Sequence, residues 1–314
     1  MITSQQKSNH AQYPLSPQDA NTVAAIRAQT IQYKGATFGP AGRVGYDAIM
    51  NNVLPAVGVS SEDGVVGGVK GWWCTPADAC SGVAILFLHG GGYVMGSASA
   101  YRNFAGHFAQ RMQAAVFVAD YKLGPEHPFP AALDDAYAAY LGLVNAGFNQ
   151  IVVIGDSAGG GLSLSLLACL QAHAKDVAIK PLAAIVMSPW TDLTMSGHSI
   201  QGKAEEELYL TYDMLLACAK MYLNDADATD PRASVMSGSM DELPPLQIHV
   251  GTSEILLDDS VRYAQRAQAE SDGVSLHIWD GMPHVFQNCP GILQAADQSL
   301  EIMTSFVLSH LRQA

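Results

Sequence analysis

A serine, a histidine and a carboxylate, each in a stretch of its own, carry the chemistry open to this chain. Ser157 lies in Gly155-Asp156-Ser157-Ala158-Gly159. Before it runs a short apolar segment, Ile151 to Ile154, and after it a small-residue, leucine-rich stretch from Gly160 to Leu170. A serine flanked by glycine two positions either side, where a buried strand meets a helix, is the nucleophile-elbow pattern. The turn is so sharp that the serine takes a strained backbone conformation, and neighbouring chain passes where side chains at 155 and 159 would stand. The hydroxyl is thereby exposed at the carboxyl edge of a sheet, with a helix N-terminus aimed at any developing anion. A chain with 29 glycines can produce G-x-S-x-G by chance, so other stretches must support it.

A serine hydroxyl needs a base, a group to orient that base and donors for an oxyanion. The apolar run Val83 to Leu88 leads straight into His89-Gly90-Gly91-Gly92-Tyr93. Glycines there leave backbone amides free to face a substrate oxygen. The amides of Gly90, Gly91 and Ala158 are the expected donors. His89 invites a metal reading, but no second histidine lies nearby, and bracing of the loop is the expected role. Ten histidines compete for the base. His107, His173 and His310 fall on helical stretches, His249 and His277 on strands, His10 and His198 in polar stretches, and His127 in a proline-rich turn. His284 differs, because it follows a late strand in the loop Asp280-Gly281-Met282-Pro283, and such a loop reaches an elbow at the same edge. Glu254, just after the strand ending at Gly251, is the expected orienting acid, with Asp258 its rival. Asp258 and Asp259 also suit capping of a helix from about Ser260, and a carboxylate at Asp280 is expected to be solvated. The chain order Ser157, Glu254, His284 is that of α/β-hydrolases, not of the chymotrypsin or subtilisin types.

These residues must be positioned by an alternation of strands and helices. After a hairpin, with strands Val57 to Val59 and Gly68 to Cys74 around Ser60-Ser61-Glu62-Asp63-Gly64, strands are expected at Val83 to Leu88, Ala115 to Tyr121, Ile151 to Ile154 and Leu182 to Ser188. Two more follow, at Leu246 to Gly251 and Ser275 to Trp279, with amphipathic helices between them. The alternation predicts an α/β fold: a mostly parallel central sheet of about eight strands, helices on both faces and a helical cap. Residues 1–54 supply N-terminal cap helices, among them one capped by Ser16 ahead of Pro17. Residues 193–235 form a cap insertion, with a helix capped by Thr211. Residues 55–192 and 236–314 form the catalytic core. Residues 1–12 are polar and expected to be frayed.

At 314 residues, with 49% hydrophobic and 14% charged residues, the chain can bury a sizeable core. A net charge of −13 argues against nucleic acid and anionic membrane as partners. No export signal and no membrane span is visible, and five cysteines without metal-ligand spacing fit a reducing, cytoplasmic setting. Cys74 and Cys80 are near enough in sequence to pair if the chain were exported. Cys169 and Cys218 read as packed core thiols.

Together, His89-Gly90-Gly91-Gly92, Gly155-Asp156-Ser157-Ala158-Gly159-Gly160 and the segment from Asp120 to Ala132 resemble the bacterial hormone-sensitive-lipase family of esterases. Ser188-Pro189-Trp190-Thr191-Asp192-Leu193 and Gly281-Met282-Pro283-His284-Val285-Phe286 are similar to further family blocks. The resemblance implies an α/β-hydrolase carboxylesterase without cofactor or metal. It also implies a helical cap, a small-molecule ester substrate with a short-to-medium acyl chain, and in many members a homodimer. Glu254-Ile255-Leu256 departs from the Asp-Pro-Leu of many members, so the acid is glutamate here if position is preserved, and Gly124 stands where alanine is common. Asp120 and Glu126 are expected to be supporting or turn residues. Two alternatives stand beside this reading: an amidase or deacetylase using the same triad, and a non-catalytic ligand-binding member of the fold.

Overall fold

Strand-forming segments that are apolar on every residue can only be covered from both sides. In the computed structural model, which describes residues 9–36, 38–175 and 177–311, they are. In chain order the elements are β1 (His10–Tyr13), α1 (Pro17–Thr30), α2 (Arg43–Asn51), β2 (Val59–Val66), β3 (Val69–Pro76) and β4 (Val83–Leu88). Next come α3 (Ala98–Met112), β5 (Ala115–Ala119), α4 (Ala131–Asn145), β6 (Gln150–Asp156), α5 (Ser157–Ala172) and β7 (Ala183–Met187). The chain closes with α6 (Ser199–Gly202), α7 (Tyr212–Leu223), β8 (Leu246–Gly251), α8 (Leu257–Glu270), β9 (Val274–Trp279) and α9 (Gln294–Leu311). The sheet runs β1-β9-β8-β7-β6-β4-β5-β3-β2. Pairing is parallel from β1 through to β5 and antiparallel at β3 and β2.

The pleat sorts the core into two layers. Ala84, Leu86 and Leu88 of β4 pack with Leu133 and Ala136 of α4, Leu162 and Leu166 of α5, and Tyr263 of α8. Val83, Ile85 and Phe87 face the other way, onto Phe104 and Phe108 of α3 and Met303 and Val307 of α9. Period-two strands between helices on both faces give the α/β-hydrolase architecture, with the loops after β4, β6, β8 and β9 at one edge.

Three expectations are corrected. Among the described residues the sheet has nine strands where about eight were expected, because His10–Tyr13, whose first three residues were expected to be frayed, pairs in parallel with β9. Tyr13 stacks on Trp279 with ring centroids 3.9 Å apart and bonds His277 Nδ1 at 2.9 Å, so one aromatic anchor and a ladder hold an otherwise polar strand. Residues 1–8 lie outside the described residues. The hairpin turn is at Gly67-Gly68, both with positive φ (59° and 82°), and Ser60 to Gly64 form the exposed edge strand. A two-residue turn with left-handed backbone at both positions suits a twisted hairpin, and solvated polar side chains suit a sheet edge. Finally, α8 begins at Leu257, so Asp258 and Asp259 lie inside its first turn.

The N-terminal segment is divided in its attachments. Ser16 caps α1, and the buried Asp19 accepts from the amides of Gln294 and Ala295 at the start of α9. Further on, Arg27 donates to the carbonyls of Glu205 and Glu206, and Lys34 to those of Ala204 and Glu207. Arg43 of α2 donates to the carbonyls of Val94 and Gly124 and pairs with Glu126. Thus α2 and the segment before it lie against the loops after β4 and β5 and against residues 204–207.

Candidate active site

β6 delivers its last residue, Asp156, directly to the start of α5, and Ser157 at that junction has φ 53°. A Cβ at 155 would lie 2.3 Å from the Gly159 carbonyl oxygen, and one at 159 would lie 2.0 Å from that of Leu88. Only glycine fits at either place, which is why the elbow carries both. Ser157 Oγ lies 2.9 Å from His284 Nε2, and His284 Nδ1 lies 2.7 Å from Glu254 Oε2. The carboxylate partner sets the tautomer: Nδ1–H donates to Glu254, leaving Nε2 to accept from the serine.

Glu254 is fully buried, and its other oxygen accepts from Ser188 Oγ at 2.7 Å and from the Gly251 amide at 2.8 Å. Ser188 Oγ in turn accepts from the Val285 amide at 3.2 Å, so one hydroxyl fixes both the acid and the residue after His284. Burial pulls the His284 imidazole down, but the charges of Glu254, Glu207 and Asp156 and the hydrogen bond donated to Glu254 pull harder. The ring stands above its ordinary pKa.

The loop after β4 departs in one respect from the expectation. The Gly90 amide donates to Asp156 Oδ1 at 3.0 Å and so is not a free donor. Gly91 and Gly92 both have positive φ (114° and 65°). Among the described residues the amides of Gly91, Gly92 and Ala158 have no hydrogen-bond acceptor, that of Ala158 being one of the orphan donors of a helix first turn. His89 braces the loop: its Nδ1 bonds the Gly90 carbonyl oxygen at 2.8 Å, its ring stacks on Tyr121, and the Tyr121 hydroxyl donates to the His89 carbonyl. Asp156 also accepts from Tyr101 Oη at 3.1 Å, and Tyr101 bonds Tyr46 of α2 at 2.7 Å. Burial pushes the Asp156 carboxyl up to about 7.

The rival acids have other partners. Asp258 Oδ2 accepts from the Ser199 amide at 3.0 Å, and Asp259 Oδ2 from the amides of Thr191 and Asp192 at 2.8 and 3.0 Å. They hold neighbouring loops in place of capping their own helix. Asp280 accepts from Gln12 on the exposed edge, Asp120 from the Ala98 amide, and Glu126 pairs with Arg43. Cys74 and Cys80 are free thiols. Among the described residues no group of three His, Cys, Asp or Glu side chains is arranged to hold a metal, and no helix is long and apolar enough to cross a membrane.

One buried carboxylate went unforeseen. Glu207, fully buried between α6 and α7, accepts from the amides of Tyr209 and Leu210 at 2.9 and 3.3 Å and from the Ile255 amide at 3.0 Å. Burial raises its pKa, against an opposing pull from His284. In the acidic run Glu205-Glu206-Glu207 nothing distinguishes it from its solvated neighbours.

Residues 85–288 match a family of alpha/beta hydrolase fold. The chain is 34% identical over 268 residues to an acetyl-hydrolase of Streptomyces hygroscopicus, covering 84% of this chain and 88% of that protein. It is also 34% identical over 236 residues to an esterase of Acinetobacter venetianus, covering 74% and 77%. A solved structure of an esterase from the bacterial hormone-sensitive lipase family superposes with a TM-score of 0.85 at 31% identity, over 94% of this chain and 99% of that one. The chain belongs to the bacterial hormone-sensitive-lipase family of esterases. The match includes the oxyanion-type loop, the elbow and the segments that bring Glu254 and His284 to it.

Proposed function

We propose that this esterase hydrolyses short-to-medium acyl carboxylic esters with a Ser157-His284-Glu254 triad through an acyl-enzyme. Ser157 Oγ attacks the ester carbonyl as His284 Nε2 takes its proton, and Glu254 steadies the resulting imidazolium. The oxyanion is met by the amides of Gly91, Gly92 and Ala158, and one such donor is worth roughly 3 kcal/mol in a transition state. His284 returns the proton to the departing alcohol, then activates the water that releases the acid. The cap in this reading comprises residues 193–235 and the part of 1–54 that lies against them, over a core of 55–192 and 236–314.

The observation that carries the proposal is the unbroken relay from Ser157 Oγ through both nitrogens of His284 to Glu254, at 2.9 and 2.7 Å. A relative named acetyl-hydrolase supports a small acyl group. Ser157→Ala is expected to abolish turnover of nitrophenyl acetate and butyrate, and labelling by a fluorophosphonate, while leaving the thermal midpoint near that of the wild type. Retention of turnover would remove the nucleophile assignment.

A further inference from the structure

A carboxylate taken wholly out of water is costly unless charge or several donors compensate it. Glu207 is fully buried, and among the described residues its hydrogen-bond partners are three backbone amides, with no Lys or Arg. Two of those amides, of Tyr209 and Leu210, belong to its own loop. The third belongs to Ile255, the residue after Glu254, whose carboxylate holds His284. The loop that carries Glu207 is held from its far side by Lys34, which donates to the carbonyl of Glu207 itself, and by Arg27 on Glu205 and Glu206. A buried carboxyl group is thus carried by the cap insertion, gripped by the N-terminal segment and seated against the backbone that presents the orienting acid.

We propose that Glu207 is a positioning residue: through the Ile255 amide it sets the loop of Glu254, and it lends the cap's own charge to the imidazolium that forms on His284. The proposal rests on the triad reading above and deepens it, since the cap then completes the base as well as covering the site. Of the charges acting on His284, Glu254 bonds its Nδ1, while Glu207 from the cap and Asp156 from the elbow act without a hydrogen bond to the ring, all three in the direction of protonation. Ser157 takes the other nitrogen. A negative charge favours the protonated ring, so neutralising residue 207 lowers the His284 pKa. A general base works only when neutral, so the acid limb of kcat/KM then moves to lower pH. The plateau kcat falls, because the imidazolium in the transition state has lost one counter-charge.

The test compares wild type, Glu207→Gln and Glu207→Ala in two ways. The first follows the His284 ring protons by NMR as pH is varied, with Ser157→Ala in the background, and reads the imidazole whether or not any ester is hydrolysed. Glu207→Gln is expected to lower the His284 pKa by about half a unit or more; an unchanged titration overturns the proposal. The second is the pH profile of kcat and KM on nitrophenyl acetate. Glu207→Gln, whose one oxygen keeps the Tyr209 and Leu210 amides while its NH2 gives up the Ile255 amide, is expected to shift the acid limb down and to lose roughly tenfold in kcat with little change in KM. Glu207→Ala should lose more. If Glu207→Gln matches wild type in both profile and kcat while Glu207→Ala is impaired, the carboxylate is only a structural acceptor and the electrostatic role is wrong. Failure of the triad reading would look different, as activity persisting in Ser157→Ala with the ring titration still responding to residue 207.

Discussion

Replacing Glu254 by glutamine tests the triad more sharply than removing it, because the geometry dictates how the amide must sit. Glu254 Oε1 receives two protons, from the Ser188 hydroxyl at 2.7 Å and the Gly251 amide at 2.8 Å. The Gly251 N–H cannot reverse, and the Ser188 oxygen already accepts from Val285 at 3.2 Å, which directs its proton to the acid. The glutamine oxygen must therefore occupy the Oε1 position, leaving its NH2 against His284 Nδ1. That nitrogen must then accept, the ring proton moves to Nε2, and Nε2 presents a donor to Ser157 where a base is required. Wrong-tautomer substitutions of this kind in serine proteases cost about 10⁴ in kcat, equivalent to ~5.5 kcal/mol of barrier at 1.36 kcal/mol per decade. We expect Glu254→Gln to lose between roughly 10³ and 10⁴ in kcat on nitrophenyl acetate, with KM changed by less than about threefold. Asp258→Asn, whose carboxylate holds the Ser199 amide, should stay within about threefold of wild type. Above one tenth of wild-type kcat in Glu254→Gln, or an equal loss in Asp258→Asn, the acid assignment fails.

Three further outcomes follow from named contacts. Asp156→Ala strips the Gly90 amide and Tyr101 of their partner and should lower kcat on the same ester by about a hundredfold, whereas Asp156→Asn, able to keep the Gly90 bond, should stay within about tenfold; equal losses in steady-state kinetics would refute the clamp. Burial pushes both Asp156 and Asp259 up to about 7, so the folded state holds their protons more tightly than the unfolded chain. Their contribution to stability is then full at about pH 4 and below, and is lost as pH rises through 7. Urea midpoints from pH 4 to 8 should be flatter for Asp259→Asn than for wild type, and parallel curves would contradict this. Gly159→Ala would force a Cβ to within 2.0 Å of the Leu88 oxygen and 2.4 Å of the His89 oxygen, both backbone. We expect a loss of roughly 4 kcal/mol or more, or no soluble protein, and a thermal midpoint near that of wild type would show that the elbow can relax.

What could be read in advance was whatever has a local cause. The elbow glycines, the glycine run after β4 and the strand-helix alternation follow from sterics and periodicity within a few residues, and the chain order of Ser157, Glu254 and His284 indicated which loops meet. Misreadings arose where a distant partner decides. Gly90, Gly91 and Gly92 are equivalent as residue types; only Asp156, reaching the first amide from the elbow, removes it from the set of free donors. β1 has no apolar period because its stability comes from the edge of β9 and the ring of Trp279. Ser60 to Gly64 have turn composition, yet the left-handed backbone of Gly67 and Gly68 closes the hairpin and leaves those polar residues on an open edge. Glu207 could not be told from Glu205 and Glu206 until the Ile255 amide was found against it.

The N-terminal segment is fastened chiefly to main-chain oxygens: Arg27 and Lys34 reach carbonyls of residues 204–207, and Arg43 those of Val94 and Gly124. Every residue type supplies such an oxygen. Side chains at 204, 205 and 206 are therefore free to drift without unfastening it, and a lineage could reshape that stretch while the three cationic latches stay unchanged. Diversification of residues 204–206 and conservation of the attachment are, in this molecule, separable.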